Sequence, residues 1–182
     1  MMNLEENPLI AAVRTEEDLA EAILSPVHVI FLLRCNILTL AEEIKKAHAG
    51  NKVIFVHADL AEGIGNDKFG IGFIKDSGAD GIISTRTNII RFAKEWKLQT
   101  VQRFFIVDSH SIDTAIDTIR TSRPSMIEVM PGVVSKIVKK FYESVHLPVI
   151  AGGLMETKKE VLEALDAGAS AISTAQKELW YA

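Results

Sequence analysis

Gly78-Ala79-Asp80-Gly81-Ile82-Ile83-Ser84-Thr85 is answered ninety positions later by Gly168-Ala169-Ser170-Ala171-Ile172-Ser173-Thr174-Ala175. In each copy a glycine suited to the left-handed end of a helix leads into a short apolar strand. Each also follows an apolar helical stretch, Phe73 to Ser77 in one case and Val161 to Ala167 in the other, and upstream of both lies another strand ending in Leu60 or Leu154. Units three and four of the chain therefore resemble units seven and eight, the relation expected of two half-barrels. Chance likeness among helix-to-strand turns is the alternative, since Gly-Ala before a strand is common.

Outward from these two copies, short β-branched runs alternate with amphipathic stretches along the whole chain. Strands are predicted near residues 9–13, 27–33, 52–57, 80–84, 100–107, 125–129, 147–151 and 170–174. Thr15 is placed as the N-cap of a first helix whose Leu19, Ala20, Ile23 and Leu24 fall at helical spacing behind acidic Glu16, Glu17 and Asp18. Ser109 or Ser111 is expected to begin the fifth helix, and Glu156 or Thr157 the seventh. Near-continuous apolar strands separated by helices favour a parallel sheet buried on both faces. An open doubly wound sheet usually has about five or six strands, whereas eight βα units favour closure. The reading is an α/β, single-domain (β/α)8 TIM barrel over residues 1–182, compact, with short loops and a stunted last helix at 177–181.

Composition bounds the function. With 48% hydrophobic and 24% charged residues the chain can fill one core. Its mean hydropathy of +0.18 comes from runs such as Val53-Ile54-Phe55-Val56, far below the roughly 18 uninterrupted apolar residues of a membrane span. The acidic Met1–Glu6 segment lacks the positive region of a secretory signal, so no membrane partner and a cytoplasmic location are expected. The lone Cys35 cannot form an internal disulfide and reads as a small buried hydrophobe. A net charge of -4 offers no general attraction for nucleic acid, so any such contact must use a local basic patch. Weak clusters exist at Arg86, Arg91, Lys94 and Lys97, at Arg120 and Arg123, at Lys136, Lys139 and Lys140, and at Lys158 and Lys159; solvated helix faces explain most of them.

The polar residues that end the strands are the candidates for chemistry, because the C-terminal rim is where this fold places its sites. Gly152-Gly153 follows the seventh strand and Ser173-Thr174 closes the eighth. Paired glycines let backbone N–H groups approach an anion while the two hydroxyls add donors, the arrangement of a phosphate site; a tight turn and a strand end are the plainer account. Arg14 follows the first strand, Arg34 the second, Ser84 and Arg86 the fourth, and Asp108 and Ser109 the fifth. His57 and Asp59, two apart, would point to one side of an extended third strand and could share a ligand hydroxyl or a proton, unless one merely caps the loop. Glu128, between Ile127 and Val129, would be a costly charge unless paired, so it is expected to face the ligand or an arginine. Gly63-Ile64-Gly65 and Gly70-Ile71-Gly72 suggest a flexible loop over the pocket. The five histidines lack metal-ligand spacing, and no GxGxxG or GKS/T cradle is present, so neither a metal nor a nucleotide cofactor is expected.

With these residues placed, the sequence resembles the glycerol uptake operon antiterminator regulatory proteins of bacteria over nearly its whole length. The resemblance rests on Ile10-Ala11-Ala12-Val13-Arg14, Val56-His57-Ala58-Asp59-Leu60, Gly81-Ile82-Ile83-Ser84-Thr85-Arg86, Gln102-Arg103-Phe104-Phe105, Ile127-Glu128-Val129-Met130-Pro131-Gly132 and Ala151-Gly152-Gly153-Leu154. It implies a regulator and not a catalyst: a barrel that senses glycerol 3-phosphate and acts on the leader mRNA of a glycerol utilisation operon so that transcription passes a terminator. The matched Arg14, His57, Asp59, Arg86, Glu128, Gly152 and Gly153 would line the ligand pocket; Arg34 departs from the smaller or acidic residue expected there. A homo-oligomer is compatible with this reading. The residues themselves add an anion cradle from Gly152, Gly153, Ser173 and Thr174 and hydroxyl partners from Asp59, His57 or Glu128. The rival is a barrel enzyme of aldolase, isomerase or transferase type acting on a small phosphorylated substrate, with His57 or Asp59 as base. No predicted strand ends in lysine, which weakens its Schiff-base branch.

Overall fold

The computed structural model describes residues 7–182; Met1–Glu6, read above as lacking a secretory signal, lies outside them. Eight strands form a closed parallel barrel: β1 (Leu9–Val13), β2 (Val29–Leu32), β3 (Val53–His57), β4 (Gly81–Ser84), β5 (Gln99–Phe105), β6 (Met126–Met130), β7 (Val149–Gly152) and β8 (Ala171–Thr174). Each pairs with its neighbours in chain order, and β8 returns to β1 through Leu9 opposite Ile172. Between them run α1 (Glu16–Leu24), α2 (Leu40–Ala49), α3 (Lys68–Asp76), α4 (Thr87–Glu95), α5 (Ser109–Ser122), α6 (Ser135–Ser144) and α7 (Lys158–Asp166). A five-residue 3-10 turn, Lys177–Tyr181, stands where the stunted eighth helix was expected.

The strands are apolar throughout because both faces are dry. Ile10, Phe31, Phe55, Ile83, Val101 and Ile150 point into the barrel and fill it. Their neighbours Ile30, Ile54, Ile82, Ile127 and Ile172 point outward under helix residues such as Leu19, Ile44, Ile71 and Val138. Burial of this kind contributes about 25 cal/mol per Å² of apolar surface. From the last turn, buried Trp180 donates its indole N–H to the Thr174 carbonyl at 2.9 Å and so ties the chain end to β8.

The helix starts follow the capping residues. Thr15 accepts from the Asp18 N–H at 3.1 Å, and Thr157 forms a capping box with Glu160. α5 begins at Ser109, one of the two serines expected, behind an Asp108 cap whose capping box Ser111 completes. The half-barrel echo is also structural. Gly78 and Gly168 take φ of +102° and +105°, and the N–H groups of Asp80 and Ser170 bond the carbonyls of Ile54 and Val149.

Three details depart from expectation. The glycine stretch is not one loop, because Gly70 and Gly72 lie buried in α3 behind the Asp67 N-cap. β3 and β7 end at His57 and Gly152, so Leu60 sits in a 3-10 turn and Leu154 in a left-handed loop position. A two-stranded ladder, Cys35–Asn36 with Ala61–Glu62, joins the loops after β2 and β3. Cys35 is buried there, and burial followed by the Glu43 and Glu62 carboxylates pushes its thiol up to about 12. No described helix is long and apolar enough to cross a membrane.

Candidate functional site

Toward the C-terminal rim the inward side chains change from apolar to polar. One residue above Phe55 and Val101 in each strand's inward row stand His57 and Arg103, and the rows of β6 and β8 likewise reach Glu128 and Ser173. Above Ala12, Arg14 leaves β1 exposed. A pocket of about 230 Å³ opens at the ends of β1, β7 and β8, where Arg14, Arg103, Gly153 and Ser173 converge between apolar walls of Ala12, Leu33 and Met130. At about 30 Å³ per water it has room for a ligand of a few carbons and one phosphoryl group. A larger groove of about 700 Å³ lies outside the barrel between α5 and α6, lined by Ile112, Ile137, Lys136 and Lys140 among others. It lacks a convergent buried polar group, so the smaller mouth is the better site.

Arg103 and Glu128 form the centre of the mouth. Opposite one another on β5 and β6, they pair through Nε and Oε2 at 2.6 Å, with side chains only 7% and 0% exposed. The pair leaves two buried atoms without a partner among the described residues, Arg103 Nη2 and Glu128 Oε1. Glu128 lies directly over Gly152, where an added Cβ would overlap Oε1; glycine is required by this approach. The next residues, Gly153 and Leu154, take φ of +77° and +57° and turn the chain around the pocket.

His57 is buried, and its Nδ1 also has no partner among the described residues. Burial first, and the Arg103 charge second, depress the imidazole from 6.5 to about 4, against the opposing pull of Asp59. His57 is therefore neutral at pH 7.

The remaining candidates are used differently. β3 ends at His57, so Asp59 is not extended beside it as its spacing suggested. Its carboxylate accepts from Ser84 Oγ at 2.5 Å, Thr85 N at 2.8 Å and Thr85 Oγ1 at 2.7 Å. Burial pushes Asp59 upward, but these bonds outweigh it and hold the carboxyl below its ordinary value. Arg86 begins α4, donates its N–H to Ser84 Oγ at 3.0 Å and is exposed away from the pocket wall. Thr174 lines the pocket, but its hydroxyl donates to the Met155 carbonyl at 2.7 Å and accepts from Gln176 N at 3.0 Å, tying the loops after β7 and β8 together. Arg34 is exposed, and its neighbour Leu33 forms the wall.

The structure thus gathers Arg14, Gly153, Ser173 and Thr174 around one pocket, with Glu128 and Gly152 beneath it, His57 near Arg103, and Asp59 and Arg86 outside it. Arg103 is the residue the sequence reading missed. Glu128 required a cation, and Arg103 shares the inward parity of Val101, but the β5–β6 register that joins them is set by the closed sheet.

The chain is similar to known proteins over nearly its whole length. Residues 9–180 match the family model described as glycerol-3-phosphate responsive antiterminator. The crystal structure of a glycerol uptake operon antiterminator regulatory protein from Listeria monocytogenes is 34% identical and superposes with a TM-score of 0.94 over 98% of this chain and 97% of that one. An antiterminator-related protein from Thermotoga maritima is 36% identical with a TM-score of 0.85, over 94% and 96% of the two chains. The Escherichia coli protein YgcP is 36% identical over 178 residues, 97% of this chain and 93% of its own.

Proposed function

Since the chain belongs to the glycerol-3-phosphate responsive antiterminator family, we propose that its barrel mouth binds glycerol 3-phosphate and that the occupied protein acts on the leader mRNA of a glycerol utilisation operon in the cytoplasm. The observation that carries this reading is the convergence of Arg14, Arg103, Ser173 and Gly153 on one pocket. Two guanidiniums with a hydroxyl suit a phosphoryl dianion, because charge-assisted bonds to phosphate are about twice as strong as neutral ones. The glycerol end then lies toward Glu128 and His57, and ligand binding favours the conformation that engages RNA.

The same mouth argues for a sensor over a catalyst. Among the described residues no lysine ends a barrel strand, which weakens the Schiff-base branch of an enzyme reading. Asp59 is held by Ser84 and Thr85, and Glu128 is ion-paired with Arg103 through Oε2, which disfavours either carboxylate as a general base. No cofactor is required for binding of this kind. Titration calorimetry with glycerol 3-phosphate, paired with a gel shift of the leader RNA, tests the proposal. Binding should weaken roughly 10- to 150-fold in Arg14→Ala, and the RNA shift should depend on the ligand. Ligand binding with an indifferent RNA shift would overturn the antiterminator role, and turnover of a phosphorylated substrate lost in His57→Ala would favour an enzyme.

A further inference from the structure

We infer that the groove between α5 and α6 is where two copies of this chain associate, about a two-fold axis that runs along the helices and sets α5 of one copy against α6 of its partner. The groove, about 700 Å³ on the outside of the barrel, shares no residue with the mouth. Its bed is apolar: Ile106, Ile112 and Ile137 pack against the core from it, and Val107 beside them is 84% exposed. Apolar surface gathered in a concave strip and left wet marks a contact surface.

The charges on its walls select the partner. The α5 wall carries Asp108 and Asp113, and the α6 wall carries Lys136, Lys139 and Lys140 with Glu143. Three carboxylates against three ammonium groups leave the groove neutral, so it offers a polyanion such as RNA no net attraction. What it offers instead is separation, with acid on one wall and mostly base on the other. Asp108 is held by its capping bond from the Ser111 N–H, and Lys139 reaches Glu143 at 4.0 Å. Asp113, Lys136 and Lys140 are exposed and belong to no ion pair among the described residues, so the two walls face each other unbridged.

A two-fold axis parallel to the helices satisfies both features. The strands before α5 and α6 end level, Phe105 opposite Met130. Asp113 stands four residues past Ser109, the start of α5, while Lys139 and Lys140 stand four and five past Ser135, the start of α6. Rotation about that axis keeps these heights, so Asp113 of each copy meets the lysines of the other, twice in one dimer, as a self-complementary interface requires. The two apolar beds close on each other in the same step. An axis across the helices would set Asp113 on Asp113 and lysine on lysine, which like charge opposes. Because the helices run alongside the barrel axis, the favoured arrangement opens both mouths on one side of the dimer.

Sedimentation equilibrium of the full chain tests the inference. Wild type should show twice the 20.0 kDa mass of one chain. The mass of a single chain at about 0.1 mM, where a micromolar interface is mostly assembled, overturns it. Asp113→Lys and Lys140→Asp each bring like charges together at both contacts and should raise the dissociation constant at least about 100-fold. An equimolar mixture of these two variants should regain the dimer, because each mixed pair holds one native and one reversed ion pair. Val107→Glu, which puts a charge on the apolar bed, should also give single chains. All three positions are exposed, so the variants keep the fold, as circular dichroism checks. A wild-type dimer that all three substitutions leave intact lies on another face and overturns the assignment. Charge variants that dissociate but do not recombine overturn the two-fold arrangement.

Discussion

Arg103 Nε lies 2.6 Å from Glu128 Oε2, and both side chains are deeply buried, so this ion pair is part of the barrel interior, while Arg103 also lines the mouth. Two charges brought out of water are held there by each other, so removing one strands the other. Arg103→Met or Glu128→Leu alone is expected to cost about 3–5 kcal/mol in denaturant unfolding, whereas the double variant should recover most of that loss. All three should fail to bind glycerol 3-phosphate. Equal destabilisation by the double variant would mean that packing, not charge pairing, sets the stability of this layer.

Arg14 should behave in the opposite way. It is exposed and belongs to no ion pair among the described residues, yet it lines the same pocket as Arg103. Arg14→Ala is expected to leave unfolding within about 0.5 kcal/mol of wild type while weakening the phosphoryl ligand by about 1.5–3 kcal/mol, the range of a hydrogen bond to a charged group. Calorimetry and a thermal melt on the same sample check both halves. Unaltered affinity would remove Arg14 from the site.

The contrast between these arginines shows what can be read from sequence alone. Strand positions were legible because a parallel barrel dries both strand faces, leaving apolar runs whose predicted ends shift by at most two residues, as from 27 to 29, 107 to 105 and 147 to 149. Arg14 was legible for a local reason, as the first polar residue after an apolar run. Arg103 was not, because its partner is distant in the chain and only the β5–β6 register brings them opposite. Asp59 failed for the reverse reason: its spacing from His57 assumed extended backbone where the chain turns into a 3-10 helix. Gly70 and Gly72 looked like loop residues, but the Asp67 cap and the apolar Ile71 and Ile74 carry them into α3.

Asp59 and ligand binding should separate cleanly. Its carboxylate closes the turn between β4 and α4 through Ser84 and Thr85 and does not line the pocket. Asp59→Ala leaves those donors unmet and is expected to lower stability by about 1–3 kcal/mol, with the dissociation constant for glycerol 3-phosphate changing by less than about threefold. A large loss of affinity with an unshifted melting temperature would return Asp59 to the ligand site.

Acid should loosen the barrel through His57 before it reaches Asp59. The folded imidazole titrates near 4 and the free one near 6.5, so between these values the unfolded chain takes up a proton that the folded chain refuses. Stability from this group is whole above about pH 6.5, falls as the pH drops through the window, and is lost below about 4, a total of roughly 3 kcal/mol. Asp59, held below its ordinary 3.8, adds its own loss only at lower pH. Unfolding free energies at pH 7, 5.5 and 4.5 should therefore decline in wild type and stay nearly flat in His57→Gln across that range. A wild-type profile without decline between pH 6.5 and 4.5 would mean that the imidazole is not held neutral by its burial beside Arg103.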